Sequence, residues 1–195
     1  MTPVLPRIAV VFAAALVLAG CSVVAPPAPD TDTDTGNDAP VSDVAPATGE
    51  LVTGDGYSYN VPEDWGVPDE KPAGFDPDSF AIDLDDTDGF TDNVNVLLSP
   101  AGSITSDQVE EAGVAELEGA GATGVEARPR ISVAGEESAH LTALFTQGGT
   151  SYLIDQYYPT HDGQTYVVTF SFSETVAEGD REALAESVLA SWTWA

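Results

Sequence analysis

A single cysteine in 195 residues, Cys21, excludes a disulfide framework and any zinc site built from paired thiolates. Basic side chains are nearly as scarce: 5 Lys and Arg stand against 33 Asp and Glu, a formal charge of −28 at pH 7. A field of that sign repels phosphate backbones, so nucleic acid is excluded as a partner. Three uses of the charge stay open: solubility outside the cell, adaptation to salt, and attraction of a cationic ligand or partner. The two histidines, His140 and His161, show no metal-ligand spacing. No apolar run reaches the roughly 18 residues of a membrane-spanning helix. The run over residues 8–18 has 11 residues and follows one positive charge, Arg7, as in a secretory signal.

That run ends in Leu18-Ala19-Gly20-Cys21, an apolar residue and two small ones before a cysteine. The tetrad resembles a bacterial lipobox. The resemblance implies a signal peptide over residues 1–20, recognised through Leu18, Ala19 and Gly20, and a diacylglyceryl group on the Cys21 thiol, which becomes the new N-terminus. Two acyl chains suffice for stable anchoring at about 0.8 kcal/mol per buried methylene. The expected location is the extracytoplasmic face of the cell membrane, with the membrane as a partner through the lipid.

Residues 22–50 contain no aromatic side chain and are rich in Pro, Asp and Thr, including the alternating run from Asp30 to Thr35. Such a segment buries too little apolar surface to offset its ordering entropy, so residues 21–50 are expected to be a lipidated, disordered tether. Random-coil scaling gives it a reach of roughly 30 Å. Residues 51–195 are long enough for one domain with its own core.

Within that domain the periodicity predicts a strand entering Pro62-Glu63-Asp64-Trp65, and extended pieces over 79–84 and 93–99 around an acidic loop. A helix is expected over 105–119, where Thr105 and Gln108 form a capping box and Ile104 and Val109 a hydrophobic staple. Four runs, 125–133, 138–146, 151–158 and 164–173, are joined by short turns rich in glycine, which predicts an antiparallel meander. A last helix is expected from Asp180 as N-cap, with Leu184, Val188 and Trp192 on one face. The fold class is α+β, a mostly antiparallel sheet flanked by helices.

This block order, with Gly56-Tyr57-Ser58-Tyr59-Asn60-Val61-Pro62-Glu63-Asp64-Trp65 at its start and Ser191-Trp192-Thr193 at its end, resembles the LpqN-type lipoproteins of actinobacteria. These belong to the Mog1/PsbP-like α/β/α sandwiches. The resemblance covers residues of about 55–194 and implies a fold and a location. Known members of the wider group act by binding other proteins, and no catalytic motif is shared, so no site residue is carried over.

Motifs for chemistry are mostly incomplete. Gly119-Ala120-Gly121-Ala122-Thr123-Gly124 matches G-x-G-x-x-G in letters, but a helix is expected to lead into it and a strand to leave it, the reverse of a dinucleotide site. Ser58 lacks the second glycine of a nucleophile elbow, since Asn60 stands there. In the acidic loop, an EF-hand register on Gly89 places Leu84 and Asn95 where the anchoring carboxylates belong. A different calcium site using Asp85, Asp86, Asp88 and Asp92 stays open beside a solvated hairpin loop. Tyr157, Asp155 and His161 are the candidate polar, aromatic pocket. Trp65, Tyr152, Tyr158, Trp192 and Trp194 are expected mainly in the core.

No catalytic residue and no cofactor are assigned, and no enzyme is expected. The chain reads as a monomeric, anchored binding domain for an envelope protein or component. The alternative is a carrier of a small apolar or cationic ligand in a cavity between sheet and helix.

Overall fold

A computed structural model describes residues 44–71 and 74–195. Leu18, Ala19, Gly20 and Cys21 lie outside the described residues. Ten strands among the described residues fall into two antiparallel sheets. In the smaller, β1 (Leu51–Gly54) and β10 (Thr193–Trp194) flank β2 (Tyr57–Asn60). The larger has seven strands in the order β3 (Trp65–Gly66), β4 (Ser79–Asp83), β5 (Asn93–Leu98), β9 (Gln164–Ser173), β8 (Thr150–His161), β7 (Glu136–Gln147), β6 (Thr123–Val133).

The expected meander is present as β6 to β9. Its three turns each have two residues, and both residues of each turn have positive φ: Ala134 and Gly135, Gly148 and Gly149, Asp162 and Gly163. That backbone matches the right-handed twist of the flanking strands. At Gly148-Gly149 it costs no steric clash, and the turn sets the β7–β8 register from Gln147 opposite Thr150 to His140 opposite Tyr157.

Both faces of the large sheet are covered. On one lies α3 (Glu178–Ala190), whose Ala185, Val188 and Leu189 pack with Val168, Phe170, Phe172 and Tyr157. On the other lies the helical segment α1 (Ser106–Gln108), a π-helical turn (Val109–Gly113) and α2 (Val114–Gly119). Thr105 and Gln108 form the expected capping box, and Ile104, Val109 and Leu117 pack on Leu141, Ile154 and Tyr158. Gly113 lets the segment approach the sheet closely: a Cβ there would stand 2.7 Å from Leu141 Cδ1 and would displace that buried side chain. The result is the expected α+β sandwich. Arg128 and Arg130 of β6 hold both layers: Arg128 bonds Glu178 and Glu182 of α3, and Arg130 bonds Asp107 and Glu110 beneath the opposite face.

Three details differ from the expectation. Helix α3 begins at Glu178, with Ala177 extended at its N-cap, so Asp180 sits in the first turn, where its charge faces the helix dipole. Residues 47–50, assigned to the tether, join the domain: the Ala47 N–H donates to the Ser187 carbonyl at 2.8 Å and the Gly49 N–H to the Val61 carbonyl at 2.8 Å. The small sheet was missed as a separate unit, since β10 reaches β2 across most of the chain, pairing Thr193 with Ser58. As expected, Gly119 to Gly124 ends a helix and opens a strand.

Candidate functional site

Beneath α3 the β7–β8 register places His140 directly opposite Tyr157, and the two rings stack with centroids 4.2 Å apart. Asp155, two residues along the same strand face, accepts at Oδ1 from the His140 Nε2 side at 3.2 Å. Its Oδ2 faces the Arg181 Nε–H of α3 at 3.4 Å, and Arg181 Nη1 donates to the Val176 carbonyl at 3.0 Å. Asp155 and Tyr157 are each 1% exposed and His140 is 5% exposed. Burial first, and then the Asp155 charge, push the Tyr157 phenol well above its ordinary pKa.

Tyr157 and Asp155 are therefore together, as expected, but His161 is not with them. Four residues further along β8, it stands about 13 Å away at the rise of a strand. There its Nδ1 meets Glu136 Oε1 at 2.9 Å and its ring stacks on Trp194 at 4.6 Å. His140 fills the place assigned to it. The missed signal lay in the turn: seven residues back from Gln147 and seven on from Thr150 are His140 and Tyr157.

The resulting cluster is a charged brace between helix and sheet. Among the described residues the His140 ring has Asp155 as its hydrogen-bond partner, so no hydroxyl or thiol is held against it as a nucleophile would be. Ser58 lies on β2, with its Oγ bonded to Thr193 Oγ1 at 2.9 Å. Trp65, Tyr152, Tyr158 and Trp192 are core residues, as expected. Trp192 lies across the rings of Tyr57 and Tyr59, with centroids 4.4 and 5.2 Å away.

The acidic loop is held by its own backbone. Asp86 accepts the Asp88 and Asp92 N–H groups at 3.0 and 3.1 Å, and Asp88 accepts the Phe90 N–H at 3.1 Å and the Thr175 hydroxyl at 2.9 Å. Asp92 Oδ1 accepts the Ser173 N–H at 2.7 Å. The Asp85 N–H caps Asp83 Oδ1 at 2.9 Å. Asp86, Asp88 and Asp92 thus share one loop, but among the described residues no group of three His, Cys, Asp or Glu side chains is arranged to hold a metal ion.

Asp92 is 8% exposed. Burial, with repulsion from Asp86, Asp88 and Asp83, pushes its carboxyl up to about 7 against the pull of the Ser173 N–H. The folded chain therefore holds a proton that the unfolded chain releases near its ordinary carboxylate value of about 3.9. The contribution is fully present below about pH 4 and is lost as pH rises through about 7. Asp92→Asn keeps the acceptor oxygen and removes the titration. Urea unfolding at pH 5 and pH 8 should show the variant gaining on the parent by on the order of 1–3 kcal/mol at the higher pH. Equal differences at the two pH values would mean that Asp92 titrates normally.

Two polar atoms on the opposite sheet face were not foreseen. Among the described residues Asn95 Oδ1 and Ser171 Oγ are buried with no hydrogen-bond partner, beside Thr169 and Gln156, which bond each other at 2.9 Å. Alternation marks these residues as one face of β5 and β9, but nothing in a lone sequence shows that the face is covered. A cleft of about 390 Å³ lies along α3 between Leu189 and the β6–β7 turn. Another of about 270 Å³ lies between β1 and the start of β4.

No protein-family model matches the chain, and no curated protein matches it in sequence. Solved structures do. The PsbP protein of the cyanobacterium Synechocystis is 19% identical with a TM-score of 0.51, over 79% of this chain and 96% of that one. LpqN of Mycobacterium tuberculosis, a protein involved in cell envelope biogenesis, is 16% identical with a TM-score of 0.50, over 70% of this chain and 82% of that one. A Bacteroides thetaiotaomicron structure is 16% identical at a TM-score of 0.47 over 75% of this chain, which spans 48% of that longer protein. The chain shares its fold with PsbP and LpqN, at identities that show a distant likeness of architecture.

Proposed function

We propose that the chain is an extracytoplasmic lipoprotein, anchored through Cys21, whose domain binds a protein or other component of the cell envelope and catalyses no reaction. The observation that carries the binding reading is a contrast of placement. The polar cluster of His140, Asp155, Tyr157 and Arg181 is sealed beneath α3, whereas the large apolar side chains Leu51, Val67 and Leu84 stand half or more exposed. Exposed apolar patches mark contact surfaces more often than chance. The fold shared with LpqN, itself involved in cell envelope biogenesis, supports the same setting. Among the described residues no helix is long and apolar enough to cross a membrane, so on this reading retention depends on the lipid.

A second reading, a carrier of a small ligand, draws support from the cleft of about 390 Å³ beside α3. Ligand sites run about 300–1,000 Å³. Crosslinking of the full lipidated protein in cells, followed by mass spectrometry, separates the two. A dominant protein partner that disappears when residues 51–195 are exchanged for an unrelated domain is the expected result. A retained small molecule without a protein partner favours the carrier. Cys21→Ser should release the chain from the membrane fraction, and unchanged retention would remove the anchor.

A further inference from the structure

The face of the large sheet away from α3 carries a band of uncharged polar side chains at its centre. One rung across β5, β9 and β8 holds Asn95, Thr169 and Gln156, and the next holds Asn93, Ser171 and Ile154. Phe80 and Ile82 of β4 continue the two rungs on one side, and Leu141 and Ala143 of β7 on the other. From β4 to β7 no charged side chain stands on either rung.

The band is sealed. Asn95 is 1% exposed, and Thr169 and Ser171 are fully buried. At its border Ile154, Leu141 and Ala143 belong to one apolar cluster with Val109 and Leu117 of the helical segment and with Phe90.

Inside it the hydrogen bonds form a series that stops short. The Tyr158 hydroxyl donates to Gln156 Oε1 at 2.8 Å, and Gln156 Nε2 donates to Thr169 Oγ1 at 2.9 Å. Asn95 Nδ2 reaches the Thr169 carbonyl at 3.5 Å. Among the described residues Asn95 Oδ1 and Ser171 Oγ have no partner, and the Thr169 hydroxyl has no acceptor for its own proton. Buried polar groups left in that state are costly, so they are normally completed by a bound molecule.

Asn95 and Ser171 are diagonal neighbours on facing strands, roughly 7–8 Å apart along the backbone, which lets one atom between their side chains bond both. That atom must donate to Asn95 Oδ1 and accept from Ser171 or Thr169. A hydroxyl group does both. A carboxylate cannot donate and an ammonium group cannot accept, and either would bring an unpaired charge into a band that holds none to match it.

We propose that this band is an internal binding site for a neutral hydroxyl-bearing guest, an ordered water or a hydroxyl of a small polyol, that bridges Asn95, Ser171 and Thr169. The site lies on the sheet face opposite the cleft beside α3, and goes beyond the binding-module reading, whose failure would leave it untouched.

The test uses the full chain. Asn95→Leu and Ser171→Ala remove the two unpartnered atoms with little change of shape, alone and together, and urea unfolding reads the result. Each single variant is expected to raise the unfolding equilibrium constant about fivefold. The double variant should raise it little beyond the larger single effect, because one guest serves both side chains. Unchanged or improved stability would overturn the proposal, since apolar replacement of a polar atom that has no partner is neutral or favourable. So would additive losses, the mark of two separate partners. NMR cross-relaxation in the parent, which needs no variant to fold, identifies the guest. Transfer to Asn95 and Ser171 from water protons makes it a water, and transfer from protons of added glycerol makes it a polyol hydroxyl. Transfer from neither, even beside coupled losses, overturns the site, because Ser171 would then have turned to bond Asn95 directly.

Discussion

Arg181→Met is expected to lower the unfolding free energy by about 3–5 kcal/mol, because it strands a buried carboxylate. Asp155 is 1% exposed and has two side-chain partners, His140 at 3.2 Å and Arg181 at 3.4 Å. Methionine retains much of the apolar stem of arginine, so the loss reports the charge and its hydrogen bonds more than packing. The penalty comes from desolvation: a carboxylate without its cation keeps the cost of burial and loses the attraction that offset it. Removing both members should therefore be milder than removing one. Arg181→Met/Asp155→Leu is expected to recover a large part of the loss in urea unfolding at pH 7, the signature of coupled neighbours. A single-variant loss below about 1 kcal/mol would mean that His140 alone satisfies Asp155. The binding-module reading gains from the expected result, since a group whose role is to brace α3 on the sheet is not held in reserve for chemistry.

Trp192→Ala should cost a similar amount, about 3–5 kcal/mol, by a different mechanism. The ring is 4% exposed and lies across Tyr57 and Tyr59, with Tyr166 edge-on at 6.5 Å. Truncation leaves a cavity where β2, α3 and the large sheet meet, and those walls belong to both sheets, so they collapse poorly. Trp192→Phe should lose much less, about 1–2 kcal/mol, because among the described residues the indole N–H has no acceptor to forfeit. Thermal or urea unfolding of the two variants beside the parent gives the comparison. Similar losses for alanine and phenylalanine would indicate that the indole nitrogen has a partner after all.

Much of the fold was legible because its signals are local. The capping box at Thr105 and Gln108 needs only neighbours three residues apart, and the meander needs only paired turn residues with positive φ between alternating runs. The direction of Gly119 to Gly124, helix into strand, followed from the same local pattern and removed a dinucleotide site from consideration. The N-terminal expectations at Leu18 to Cys21 rest on a local motif as well.

The candidate site was half legible. Alternation placed Tyr157 and Asp155 on one face of β8, which is a property of the strand alone. Which histidine joins them is a property of two strands: His161 is nearer in sequence, but register sets His140 across from Tyr157, and the helix that seals the cluster arrives from residues 178–190. Asp92 is an ordinary loop aspartate in the sequence, and becomes a group shifted to about 7 only because folding buries it beside Asp86, Asp88 and Asp83, against the pull of the Ser173 N–H. The sequence by itself determined the meander with its turns, the two helical segments and the charge of the surface, because those depend on near neighbours and on composition. The tertiary structure alone decided the second sheet closed by Thr193 and Trp194, and the brace of His140, Asp155 and Arg181. Each of these depends on which distant segments are brought to the same place, and in a single sequence backbone pairing and burial between such segments leave no periodic mark.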